Sequence, residues 1–120
     1  MNKFYTLIAQ AKKADDEMIE DVDAYYDSVL NYILSHSGQR DEFAKAIIEM
    51  MKDPNQMPYT LVQFCMYELR WNEVKQAIVD WSKTEKSECV NLIIKKLLSS
   101  FEDDWYEAND YLRYNPHAND

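Results

Sequence analysis

In 120 residues the chain has one glycine and three prolines. Sheet proteins turn many tight corners, and such corners depend on glycine, proline, asparagine and aspartate in special backbone conformations. A chain so short of glycine and proline has little with which to build hairpins. Abundant Leu, Ala, Glu and Lys favour helices instead. Apolar residues recur every three to four positions along most of the chain. The predicted fold class is therefore all-α: a compact bundle of six to seven antiparallel helices, or a short HEAT-like stack of helical hairpins.

The helices can be placed by their apolar spacing. Phe4, Leu7, Ile8 and Ala11 mark a short opening helix. Asp15 is a suitable cap for a second helix, which would bury Ile19, Val22, Tyr26, Val29, Leu30 and Ile33. "SHSG" ends it, with Gly38 expected in the left-handed position after the last turn. His36 reads as a helix-end residue. Phe43, Ile47 and Met50 mark a third helix, broken by "DPNQMP". Leu61, Phe64, Cys65 and Leu69 mark a fourth. Asn72 is the expected cap of a fifth, carrying Val74, Ala77, Ile78 and Trp81. Ser87 is the expected cap of a sixth, lined by Val90, Ile93, Ile94, Leu97, Leu98 and Phe101. A last helix would hold Trp105, Ala108 and Leu112. Residues 1–114 read as one domain, and "NPHAND", residues 115–120, as a frayed tail.

Composition excludes several functions. Nucleic-acid binding needs Lys and Arg for phosphate, whereas the net charge here is −9. No apolar run approaches the roughly 20 residues of a membrane span, and the N-terminus lacks a signal-peptide pattern, so a cytoplasmic protein with no membrane partner is expected. Cys65 and Cys89 lie at apolar helical positions and are expected to be buried thiols. No cofactor or metal site is expected. The two histidines form no zinc or di-iron pattern. "DVDAYYD" lacks the glycine and terminal glutamate of a calcium loop. One glycine cannot make a phosphate-cradling loop. "RYNPH" brings Arg113 and His117 close to the Arg–His motif of small helical HEPN ribonucleases. Its spacing is too short, however, and Pro116 interrupts the helix that would present the pair. No catalytic residue is expected.

Charge is distributed unevenly. "DDEMIEDVDAYYDS", residues 15–28, holds seven carboxylates and no cation, and "EDDWYEAND", residues 102–110, holds five more. These twelve charges exceed the net of −9, so the rest of the chain sums to +3. On a continuous helix, Asp16, Glu20, Asp23 and Asp27 would form one acidic stripe, with Tyr25 on the opposite flank. Such faces commonly serve solubility alone. They also suit a docking surface for a basic protein, with aromatic side chains as anchors. The expected partner-binding residues are Asp16, Glu20, Asp23, Tyr25, Asp27, Glu102, Asp103, Asp104 and Glu107.

The segment "LVQFCMYELRWNEVKQAI", residues 61–78, resembles small helical bacterial immunity proteins. Its most distinctive part is "ELRWNEV", Glu68 to Val74, where related sequences often have proline at the position of Asn72. The resemblance implies a helical protein that neutralises the toxin of a polymorphic or contact-dependent growth inhibition system; before binding, the chain is expected to be monomeric. The expected partner is the cognate toxin's C-terminal domain, a basic domain and by expectation a nuclease. The alternative is a helical adaptor with an unrelated basic partner. Within the segment, Trp71 is expected to fill a helix corner that Glu68 and Arg70 tie by charge.

Overall fold

A computed structural model describes residues 1–115. Six α-helices follow in order: α1 (Asn2–Asp16), α2 (Val22–Ser35), α3 (Arg40–Met50), α4 (Tyr59–Leu69), α5 (Asn72–Thr84) and α6 (Glu88–Ser99). There is no strand among the described residues. Helices α2, α4 and α6 pack in that order, α3 packs on α5, and α1 and α6 pair with α2 and α5. Phe4 on α1 meets Phe43 on α3 at 4.8 Å between ring centroids. The result is a six-helix bundle. No helix among the described residues is long and apolar enough to cross a membrane.

Helix α4 is the centre of the core. Leu61, Val62, Gln63, Phe64, Cys65 and Met66 are all buried, covering every side of the helix. A helix apolar all round belongs in an interior. The one polar member, Gln63, donates from Nε2 to the Lys96 carbonyl at 2.8 Å, so its burial leaves no donor stranded. Burial also pushes the Cys65 thiol up to about 12. The outer helices are one-sided, as α1 illustrates by burying Phe4, Ile8, Ala11 and Ala14.

Several boundaries differ from the sequence expectation. The acidic stretch does not lie on one helix. Helix α1 continues through Asp16, and α2 begins only at Val22. Between them Met18 takes φ 54°, its N–H bonds to the Asp15 carbonyl, and the Ile19 N–H bonds to the Ala14 carbonyl, both at 3.1 Å. These two bonds form the Schellman closure of a helix end, with methionine where glycine is usual. Asp15 is therefore in the last turn of α1 and caps nothing, and Ile19 is exposed. Gly38 lies in a short 3-10 turn, Ser37–Gln39, without a positive φ. The end of α2 is instead dressed by His36, which stacks on Tyr32 and places Nδ1 2.8 Å from the Tyr32 carbonyl oxygen.

Asn72 is the first residue of α5 and makes no cap bond; Trp71 holds the cap position. The Ser87 hydroxyl does cap α6, accepting the Val90 N–H at 3.3 Å. Cys89 is exposed, because it sits in the first turn of α6 facing away from the bundle. Trp81 is only half-buried. The expected last helix is a short 3-10 segment, Tyr106–Asp110, in which Ala108 is buried while Leu112 beyond it is exposed. Of the tail, Asn115 donates its N–H to the Tyr111 carbonyl at 2.9 Å; residues 116–120, with Pro116 and His117, lie outside the described residues.

Candidate functional site

The two acidic segments meet through the chain that follows the second one. Tyr111 and Tyr114 pack on Phe64 of α4, with centroids 4.9 and 5.2 Å away. The Tyr114 hydroxyl donates to the Phe64 carbonyl. Tyr111 also lies 6.1 Å from Tyr26 of α2. With these rings seated on the core, residues 112 and 113 run beside α2. The Leu112 N–H donates to Asp23 Oδ2 at 3.1 Å. Arg113 donates to Asp27 at 3.1 Å and Asn31 at 2.9 Å, and its other terminal nitrogen is 3.7 Å from Glu68.

The phenols record this crowding. Tyr111 is raised above its ordinary range, mainly by burial, then by the neighbouring Tyr26, and further by the nearby charges of Asp23, Asp110 and Asp15. Those carboxylates come from α1, α2 and the second acidic segment, so both segments contribute to one local field. Tyr26 is raised too, chiefly by burial. Its hydroxyl is 2.7 Å from Thr60 and 3.5 Å from Asp15.

The nine residues expected to bind a partner divide by what they touch. Asp16 ends α1 and pairs with Lys12 one turn back. Asp23 and Asp27 are half-buried and hold residues 112 and 113 in place. Asp103 pairs with Arg70, and its carbonyl accepts the Tyr67 hydroxyl at 3.2 Å. Arg70 therefore ties the α4–α5 corner to the second acidic segment rather than to Glu68, which faces Arg113. Tyr25 is half-buried and lines an open cleft of about 360 Å³ with Gln10, Lys13, Ala14, Glu17 and Ile19. Glu20, Glu102 and Asp104 are exposed and Glu107 half-buried, and none of these four has a cationic partner among the described residues.

Sequence spacing missed the apolar side chains on this surface. Met18 is 87 % exposed, Tyr106 81 %, Leu112 43 % and Ile19 37 %. These are four of the seven large hydrophobic residues exposed on the described chain, and all lie in or beside the acidic segments. Periodicity counted Ile19 and Leu112 as core because it assumed helices that are not there. Met18 could have been noticed as the one long apolar residue between Glu17 and Glu20 that fits no buried stripe.

Such an arrangement can attract and seat a cationic surface, since carboxylates supply a field and apolar tips supply burial on contact. Among the described residues no group of His, Cys, Asp and Glu is arranged to hold a metal ion. Comparison with protein-family models, with curated proteins and with solved structures finds no match to the chain.

Proposed function

We propose that the chain is an immunity protein, a non-enzymatic inhibitor that docks on a basic toxin domain in the cytosol and occludes its active site. One observation carries the reading: Met18, Ile19, Tyr106 and Leu112 are exposed within or beside two acidic segments that meet around Tyr111. Exposed carboxylates speed the encounter with a basic partner. Apolar tips among them gain energy only when a partner covers them, as interface anchors do. A nuclease suits this surface because its substrate-binding face is built to hold phosphate, so an acidic surface competes for the same cations.

The test starts with the tagged protein and a Met18→Ser/Tyr106→Ser variant, each purified from the native cell. The reading expects a basic domain retained by the first and depleted with the second. Expressed alone, that domain should arrest growth, and co-expression of the unaltered chain should relieve the arrest. A basic partner that is harmless to the cell would favour the helical-adaptor reading. A partner that the variant retains equally well would remove this surface from the account.

A further inference from the structure

The loop of residues 51–58 and helices α5 and α6 enclose an apolar cavity of about 90 Å³. Met51, Met57, Tyr59, Trp81, Val90 and Ile93 form its wall. One side of it is stiff. Pro54 and Pro58 fix their own backbone angles. Just before them, both Asp53 carboxylate oxygens are engaged, one by the Asn55 N–H at 2.9 Å and the other by Gln56 Nε2 at 3.1 Å. The Met57 N–H closes the turn on the Asp53 carbonyl at 3.1 Å. A wall braced in this way does not collapse to fill the space.

Two cations lie against the cavity's aromatic residues, and one of them, Lys52, is itself part of the lining. Lys52 Nζ lies 5.8 Å from the centre of the Trp81 ring, and Lys96 Nζ lies 5.8 Å from that of Tyr59. Each is held over an aromatic wall of the cavity by the attraction of an ammonium for a π face. Neither has a carboxylate within ion-pair distance among the described residues. The acids next in sequence to Lys52 and Trp81 are occupied, Asp53 by its own turn and Asp80 by Gln76 at 3.0 Å and Lys83 at 3.8 Å. In a chain of net charge −9, an apolar pocket with two unneutralised cations against its aromatic residues is a local exception.

We infer that this cavity binds a small amphiphilic carboxylate, with its alkyl chain among Met57, Trp81 and Ile93 and its carboxylate beside Lys52 and Lys96. Size limits the chain. A dry cavity of about 150 Å³ accepts a benzene ring, so this smaller one suits a linear or branched chain of about three to five carbons. Charge sets the head group. An amine would meet two ammonium groups, and a neutral amide would gain nothing from them. This inference is independent of the docking surface and of the identity of any toxin.

Isovalerate, isovaleramide and isoamylamine are the probes, titrated into the full chain and followed by equilibrium dialysis and by tryptophan fluorescence. Isovalerate should bind saturably, with a fluorescence change that Trp81→Phe abolishes. Lys52→Met with Lys96→Met should weaken isovalerate by about fivefold, the range expected for partly exposed charge pairs, and leave the amide unchanged. These lysines project from the surface, so the fold survives their replacement. Val90→Phe, which fills the cavity, should abolish binding of the acid. Absence of saturable isovalerate binding, equal affinity for acid and amide, or undiminished binding by a folded Val90→Phe variant would each overturn the inference.

Discussion

Two helices of this bundle end in the same unusual way, and what their side chains do there differs. The chain leaves α1 through Met18 at φ 54° and leaves α4 through Arg70 at φ 49°, the only positive φ values among non-glycine residues in the described chain. The left-handed conformation costs an ordinary residue roughly 1–2 kcal/mol. At Arg70 the fold makes use of the resulting direction. The guanidinium pairs with Asp103, bonds to the Tyr67 carbonyl at 3.1 Å and lies 5.3 Å from the Tyr67 ring centre. At Met18 the side chain points into solvent and holds nothing within the chain together. Strain accompanied by internal contacts is explained by the fold. Strain at an exposed apolar residue amid carboxylates directs attention to something outside it.

The largest loss is expected at the inner corner. Trp71 precedes α5, is buried, and carries Arg40 5.2 Å from its ring centre. Trp71→Ala should destabilise by about 3–5 kcal/mol in urea denaturation. The matching change at the outer turn, Ile19→Ala, should stay within about 0.5 kcal/mol. Comparable losses at both places would mean that the outer turn is part of the core.

Arg113→Met comes next in size. It leaves the half-buried Asp27 without its cation and frees Glu68 and Asn31, for a loss of about 1–3 kcal/mol. Neutralising the stripe as a set, Asp16, Glu20, Asp23 and Asp27 to amides, should likewise cost stability, because Asp23 and Asp27 hold the segment after the second acidic run. Relief of repulsion would be expected only if the four shared one helix face. A stabilised quadruple variant would contradict the placement of Leu112 and Arg113 against α2.

The smallest effect is a pH dependence. Arg40 holds Glu73 by two hydrogen bonds, 3.0 and 2.7 Å, which lower the carboxyl below its ordinary 4.5. A lowered carboxyl stabilises the fold fully above that ordinary value, and the contribution is lost as pH falls through the folded-state value. Both groups are open to solvent, so the slope is shallow. Glu73→Gln should flatten the acid limb of the stability curve slightly and leave neutral pH nearly unchanged.

The all-helical class was legible because scarce breakers and three-to-four spacing act along the whole chain. Phe43, Ile47, Phe64 and Ile78 are buried as their spacing implied. The α1–α2 boundary was not legible. Helix ends are usually read from glycine or proline, and here a methionine closes the Schellman turn. That single boundary dispersed the predicted acidic stripe over two helices and a turn. The role of the C-terminal segment was hidden for another reason: its contacts join Arg113 to Asp27 and Leu112 to Asp23 across more than 80 residues, and local spacing carries no trace of such pairs.

Met18→Gly, with Arg70→Gly as its counterpart, separates the strain at the outer turn from its use in binding. Glycine relieves the left-handed strain, so Met18→Gly should stabilise the isolated protein by about 0.5–1.5 kcal/mol. Arg70→Gly should gain less, because it also gives up Asp103 and Tyr67. Affinity for the basic partner, measured by surface plasmon resonance on the same samples, should fall about tenfold or more for Met18→Gly, as for loss of an interface anchor. Higher stability with weaker binding is the predicted result. Higher stability with unchanged binding would contradict the claim that Met18 is held exposed to meet a partner.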